Sequence, residues 1–273
     1  MDVKTSVRTL EVFELFARQC KPLTLSEIAR MLQAPPSSCF QLLRTLERRG
    51  YLYGLGPAKL YYPTQRMFSK AKAIAEHDPV LNVLAPELSR LRDATTETVV
   101  LGQLVGDKAM IVETFESPHS VRYAPVPGQL RPIHSSSIGK ALLGCMTRKQ
   151  RDALLAAKAL PRFTQATITT RAALERELEA SNKRGWYSSL GETVPDLDAV
   201  AAPVHFAGRT FAITVAGPSN RCASRRKEHI RELLSTCKRI ETLASTNMRG
   251  ASAVTASRGK AINERPGSGQ GVA

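Results

Sequence analysis

The stretch from Leu23 to Leu52, LTLSEIARMLQAPPSSCFQLLRTLERRGYL, confines two capped helices and the turn between them to thirty residues. Thr24-Leu-Ser-Glu27 has the spacing of a capping box: the Thr24 hydroxyl takes an orphan amide of the first turn, and Glu27 reaches back to the Thr24 amide. Leu23 and Ile28 then occupy the two staple positions. The first helix is expected to end near Leu32. Ala34-Pro35-Pro36 makes a turn from which Pro36 or Ser37 begins the next helix, because proline is tolerated in a first turn. Helices joined this briefly cross at a steep angle. The second runs from about Ser37 to Arg49 and stops at Gly50, a residue suited to a left-handed C-terminal position.

The two faces of this second helix differ in chemistry. Cys39, Leu42, Leu43 and Leu46 recur at helical spacing and make an apolar face. Ser37, Gln41, Arg44 and Arg48 fall at i, i+4, i+7 and i+11 on the other side, a stripe of hydrogen-bonding and cationic side chains with no acid. A helix-turn-helix lays such a stripe in the DNA major groove, with small hydroxyls and amides near base edges and arginines near phosphates. With Ser38 and Thr45 flanking it, the expected DNA contacts are Ser37, Ser38, Gln41, Arg44, Thr45 and Arg48. A plain solvated face is the competing reading.

The residues that follow favour DNA. Tyr51-Leu-Tyr53, a Gly/Pro turn, and Leu60-Tyr-Tyr62 read as a hairpin directly after the recognition helix, which is a wing. Lys59 at its tip, with Arg66 beyond, is placed to meet backbone phosphate or a minor groove. Ahead of the box, Val7, Leu10, Phe13 and Ala17 trace the face of a first helix expected to complete the small core. The formal charge of +15 favours a polyanionic partner such as nucleic acid or, less often, an acidic membrane surface. Five cysteines without CxxC spacing indicate neither a zinc site nor a disulfide framework. No leader and no apolar run approaching about 18 residues is present, so a cytoplasmic protein is expected. No cofactor or metal is expected.

Domain limits follow from the pattern: a winged helix-turn-helix over 1–65, a linker helix over 66–78, a second domain over 79–246, and an unstructured tail over 247–273. Asp78 and Pro79 have the types expected of an N-cap and first helical position. In the second domain, strands 97–105 and 109–115 flank Gly106-Asp107, and strands 199–205 and 210–216 flank Ala207-Gly208. Helical patterns fall at 137–145, 148–158, 171–183 and 223–244. Interleaved helices with a hairpin at each end predict an α+β fold with a mixed or antiparallel sheet. The tail is rich in Gly, Ser, Ala and basic residues with almost no large apolar side chains.

Chemistry in this domain concentrates in Arg131-Pro-Ile-His-Ser-Ser-Ser-Ile-Gly-Lys140, a loop running into an apolar helix. As a phosphate-binding P-loop it fails, because the first glycine is absent at His134 and Ala141 replaces the hydroxyl that would ligate magnesium. Ser137-Ile-Gly-Lys140 matches S-x-x-K of serine acyl-enzymes, but the partner motifs KTG and SDN are missing. The third reading is a binding site, since free amides at Ser137 and Ile138 at the positive end of a helix suit a carboxylate or phosphate. Glu192, Asp196 and Asp198 raise a cation site, without a matching histidine pair. Cys222 opens a basic helix but reads more simply as inert.

Three blocks in order resemble the IclR-type bacterial transcriptional regulators over nearly the whole chain to about residue 245. PLTLSEIARMLQAPPSSCFQLLRTLERRGYL looks like that family's DNA-binding core, and RPIHSSSIGKALLG like its PLHATAxGKALLA segment. GWYSSLGETVPDLDAVAAPV followed by FAITVAGP resembles its GYAxDxEExxxGVxCVAAPV and AAISVSGP segments. The resemblance implies a winged helix, a linker helix and a GAF-like α+β domain with a mainly antiparallel sheet that binds a small carboxylic or aromatic acid. It also implies dimers or tetramers on palindromic operators, and no enzymatic activity. Carried over by motif position, the effector contacts implied are Tyr123, Ser137, Ile138, Ser189, Leu197, Ala199, Thr214 and Ala216. Departures are Ser189 for the usual aspartate, Gly191 for one of the paired glutamates, Asp196 for glycine and Ala199 for cysteine. Loss of an acid at 189, with Arg131 and Arg122 nearby, favours a more anionic or bulkier acid. Pro36 and Gln41 stand where a basic residue is common, so the operator cannot be copied from relatives.

The expectation is therefore a ligand-responsive DNA-binding regulator. The alternatives are a serine-dependent acyl-transfer enzyme or metabolite-binding protein using Ser137/Lys140, and a constitutive DNA-packaging protein, which fits the charge but not the elaborate second domain.

Overall fold

A computed structural model describes residues 3–57, 59–156 and 159–262, with side chains to residue 245. The chain divides after Asp78 into two units. The first contains α1 (Lys4–Gln19), α2 (Leu25–Met31), α3 (Pro36–Arg48), strands β1 (Leu52–Leu55) and β2 (Leu60–Pro63), and α4 (Gln65–Glu76). The capping box forms as its spacing requires: the Thr24 amide donates to Glu27 Oε2 at 2.8 Å, and the Glu27 amide donates to Thr24 Oγ1 at 3.2 Å. These hydrogen bonds hold the Glu27 carboxyl below its ordinary value, the backbone bond from Thr24 contributing most. Leu23 also pairs with Tyr61, its amide and carbonyl lying 3.1 and 2.8 Å from their partners, which ties the wing to the start of α2.

The core of this unit contains Val12, Leu15, Phe16, Leu23, Ile28, Leu43, Leu46, Leu52 and Tyr61. The expected face of α1 needs correction. Val12, Leu15 and Phe16 point inward, whereas Val7 and Leu10 are exposed, Phe13 is half-buried and Ala17 is exposed. α1 carries two apolar stripes, and periodicity alone does not say which one the neighbouring helices cover.

The second unit contains α5 (Pro79–Thr95), β3 (Thr98–Val105), β4 (Lys108–Phe115), β5 (Leu130–Arg131), α6 (Ser137–Gly144) and α7 (Arg148–Leu155), followed by α8 (Arg171–Arg184), β6 (Tyr187–Leu190), β7 (Leu197–Phe206), β8 (Arg209–Pro218) and α9 (Ser219–Ile262). The strands form one antiparallel sheet in the order β5-β4-β3-β8-β7-β6. Both faces are covered. Val99, Leu101, Val200, Ala202, Ile213 and Val215 face α5 and α9, while Val100, Ala201 and Ala212 pack with α6 and α8. The period-2 alternation along β3, β7 and β8 thus separates a large-residue face from a small-residue face. α9 runs to Ile262, well past the expected end near 244, so residues 247–262, expected in an unstructured tail, are helical. Its Ala-rich continuation contains no proline before Pro266 and opposes helix weakly. Residues 263–273 of that tail lie outside the described residues.

The small-residue face lets α6 approach the sheet. A Cβ at Gly102 of β3 would come within 2.6 Å of Ile138 Cγ2, so the helix rests on bare backbone there. A Cβ at Gly139 would lie 2.2 Å from the Ile133 carbonyl oxygen, because the loop entering α6 crosses directly over its first turn. Lys140, fully buried, donates from Nζ to the Ser188 carbonyl at 3.0 Å and ion-pairs with Glu192. The hydroxyls of Thr164 and Thr167 donate to the carbonyls of Gly191 and Glu192, each at 2.7 Å, holding that loop from its other side. Burial pushes the Glu192 carboxyl up against the opposing pull of Lys140. Gly139→Ala is expected to destabilise the protein by at least about 2 kcal/mol, since the added methyl meets backbone that cannot rotate away. Urea denaturation measures this, and an unchanged midpoint would show that α6 can lift off its loop at no cost.

Candidate nucleic-acid interface and ligand cavity

In the first unit, Ser37, Gln41, Arg44, Thr45 and Arg48 are all exposed on α3, opposite the buried Cys39, Leu43 and Leu46. Among the described residues neither Arg44 nor Arg48 has an ion-pair or side-chain hydrogen-bond partner, so both guanidinium groups are open to an anion. Thr45 Oγ1 donates to the Gln41 carbonyl at 2.8 Å and adds little reach of its own. Two expectations need adjustment. Ser38 is half-buried and accepts from Arg8 Nη1 at 3.0 Å, so it serves the α1–α3 packing rather than the open stripe. Lys59 ion-pairs with Glu47 of α3 at 3.4 Å, both side chains remaining partly solvated. The pair fastens the wing to the helix, and a phosphate would have to compete with Glu47 for the ammonium.

In the second unit, all eight residues carried over from the resemblance line one narrow cavity of about 30 Å³. Tyr123, Ser137, Ile138, Ser189, Leu197, Ala199, Thr214 and Ala216 are joined there by Val100, Arg131, Ser136 and Thr193. The cavity exists because β7 and β8 present Ala199, Thr214 and Ala216 where larger side chains would fill it. Its floor is the start of α6. Ser136 caps the helix by accepting from the Gly139 amide at 3.1 Å, and its hydroxyl donates to the Pro132 carbonyl at 2.6 Å. The first-turn amides of Ser137 and Ile138 find no acceptor among the described residues, as helix geometry dictates.

Hydroxyls line the walls. Ser137 Oγ lies 3.4 Å from Thr214 Oγ1, a contact long enough for a ligand oxygen to displace. Thr193 Oγ1 donates to Ser135 Oγ at 3.2 Å. Ser189 is buried, and among the described residues its hydroxyl has no partner. The Arg131 guanidinium stacks over the Tyr123 ring at 5.7 Å and has no carboxylate partner among the described residues. Burial pushes the Tyr123 phenol up, with Arg131 pulling the other way. Among the described residues no carboxylate lines this cavity.

Other expected features fall elsewhere. Arg122 does not line the cavity and pairs with Glu116 at 2.7 Å. The carboxylates of Glu192 and Asp198 do not converge: Glu192 pairs with Lys140, while Asp198, facing the other side of β7, pairs with Arg226 and accepts from Ser219, at 2.7 and 2.8 Å. Cys222 is buried, its thiol pushed up to about 12 by burial and by Glu97, which suits an inert side chain. The Ser137/Lys140 pair is not assembled. Lys140 Nζ is committed to Ser188 and Glu192, and the hydroxyl beside Ser137 belongs to Thr214. Val100 and Thr193 escaped sequence reasoning because one is an ordinary apolar strand residue and the other sits in a loop without regular spacing. A second, larger hollow of about 470 Å³ lies against Arg131.

The family model for the IclR helix-turn-helix domain matches residues 6–56, and that for the bacterial transcriptional regulator IclR C-terminal domain matches residues 72–241. The HTH-type transcriptional regulator BhcR of Paracoccus denitrificans is 32% identical over 221 residues, 80% of this chain and 79% of that protein. The transcriptional repressor IclR of Escherichia coli is 27% identical over 252 residues, covering 90% of this chain and 92% of its own. Among solved structures, an IclR transcriptional regulator from Alicyclobacillus acidocaldarius superposes with TM-score 0.77 at 22% identity, over 89% of this chain and all 100% of that one. An IclR homologue from Microbacterium hydrocarbonoxydans complexed with 4-hydroxybenzoate superposes with TM-score 0.72 at 22% identity, over 87% and 98% of the two chains. With a helix-turn-helix at one end and a ligand-domain match across most of the remainder, this chain belongs to the IclR family of bacterial transcriptional regulators, which bind DNA and are not enzymes.

Proposed function

We propose that this regulator is controlled by a small organic acid bound at the start of α6. The observation that carries this reading is the charge asymmetry of the small cavity. It combines an arginine without a carboxylate partner, two unpaired helix-start amides and several hydroxyls, and its lining holds no acidic side chain. A carboxylate satisfies these donors together, and their environment strengthens each hydrogen bond to it. That a homologue of the same fold was solved with 4-hydroxybenzoate, itself a small aromatic acid, supports the choice. The change of an acid to Ser189 removes a negative charge that would repel such a ligand.

The DNA-bound form is a homodimer or a dimer of dimers on a palindromic operator in the cytoplasm. Val3 at the N-cap of α1 and Val7 and Leu10 within it are 67%, 37% and 63% exposed. Phe68 and Ile74 of α4, a helix with no buried residue, are 64% and 74% exposed. A second copy of the chain covers these stripes, and twofold symmetry then presents two α3 helices to half-sites about one helical turn apart or a multiple of it. The acid alters operator affinity only by its differential affinity for the DNA-competent and incompetent arrangements.

A mobility-shift assay on the intergenic DNA upstream of the gene, with excess competitor DNA and a panel of small carboxylic acids, tests this function. The expected result is a discrete complex that survives competitor and whose affinity one acid changes by at least about fivefold. A specific complex indifferent to every acid but sensitive to neutral ligands would refute the anionic effector. For the interface, Arg44→Ala and Arg48→Ala are each expected to weaken operator binding and to lower the slope of log K against log salt by about 1. Gln41→Ala is expected to relax base preference with the salt slope kept. Unchanged binding at every salt concentration would remove the arginines from the interface.

A further inference from the structure

The larger hollow differs from the small cavity in chemistry as well as size. Its lining has no hydroxyl side chain, and Leu130, Ile133, Leu155, Leu160, Pro161 and Phe163 give it apolar walls. Two of these stand open at its mouth, Leu130 at 48% and Phe163 at 45% exposure, with no neighbour covering them among the described residues. His134 is buried and stacks on Phe163, ring centroids 5.8 Å apart and planes 30° off parallel, so the imidazole backs the exposed phenyl ring. The imidazole is fixed there by Nε2–H donating to the Pro161 carbonyl at 3.1 Å. Burial lowers its pKa, keeping the ring neutral near pH 7.

The charges at the rim are unbalanced. Lys108 and Arg131 line the hollow without a carboxylate partner among the described residues, and the single acid present, Asp107, already has a partner of its own. An apolar, ring-walled concavity with two unsatisfied cations at its edge matches a ligand with a flat apolar body and one negative charge. Its volume, about 470 Å³ against about 30 Å³, admits a body too large for the small cavity.

We propose that this hollow is a second ligand site, specific for an aromatic monoanion, seated on the His134–Phe163 ring pair with its acidic group toward Lys108 and Arg131. The two linings share Arg131, whereas Lys108, His134 and Phe163 belong to the hollow alone, and the test is read on these.

Fluorescence titration of the full chain with anilinonaphthalene sulfonate, an aromatic monoanion that brightens in apolar surroundings, tests the site. The expected result is saturable binding of about one dye per chain, weakened about tenfold or more by Lys108→Glu and by Phe163→Ala. Both side chains are exposed, so neither substitution threatens the fold, and neither lines the small cavity. Leu243→Ser, which removes an exposed apolar side chain of α9 that lines neither space, is expected to leave dye binding unchanged. Absence of saturable binding would overturn the proposal. So would binding that survives both Lys108→Glu and Phe163→Ala, or an equal loss with Leu243→Ser, which would mark adsorption to apolar surface in general.

Discussion

The close approach of α6 to the loop that feeds it and to the bare face of the sheet organises the second unit. Gly139 lies against the Ile133 carbonyl and Gly102 against Ile138, so the first turn of this short helix has no freedom to shift without steric conflict. A helix of eight residues is too short to be stable by its own hydrogen bonds, and its position comes from packing. The buried Lys140–Glu192 pair then fixes the facing loop, because separating two charges inside the protein leaves each uncompensated. What results is a helix start, Ser136 to Ile138, held at the lining of the small cavity. A preorganised donor set of this kind loses little entropy when an anion arrives.

The opposite face of the same strands is secured differently. Asp198 alternates with Leu197 and Ala199 along β7, so successive residues of one strand touch the small cavity and the helix α9. Arg221 forks onto both oxygens of the buried Glu97 carboxylate, at 2.5 and 2.8 Å, and Arg239 of α9 pairs with Glu87 of α5 at 2.7 Å. These pairs use acids and cations in equal number, so the net charge of +15 is untouched by them. What they settle is which cations are committed, and Arg44 and Arg48 are not among them.

What was legible in the sequence follows from how local each signal is. The capping box, the wing and the Ala207-Gly208 hairpin depend on a few adjacent residues, and they form where spacing placed them. The eight cavity residues were legible through motif resemblance, since no local pattern brings Tyr123, Ser189 and Thr214 together across separate strands and loops. The covered stripe of α1 was misjudged because that choice depends on where α2 and α3 lie, which is tertiary information. Ser38 and Lys59 share the polar character of the stripe, and only their geometry shows that Arg8 and Glu47 already occupy them. Arg122 sits one residue from Tyr123 yet pairs with Glu116, away from the cavity. Nearness in sequence predicts neither direction nor partner for a side chain in a loop.

The central claim is that an anion in the small cavity governs the hold on DNA, and filling that cavity tests it most directly. Ser189→Leu places an apolar side chain in the space a carboxylate would occupy and leaves the sequence of α3 unaltered. Operator affinity of this variant and of the unaltered protein, measured by fluorescence anisotropy with and without the acid that acts on the unaltered protein, separates binding from response. The account predicts that the variant keeps its ligand-free operator affinity to within about twofold while losing the response to acid. A variant that still responds in full would contradict it and move the controlling site elsewhere in the second unit.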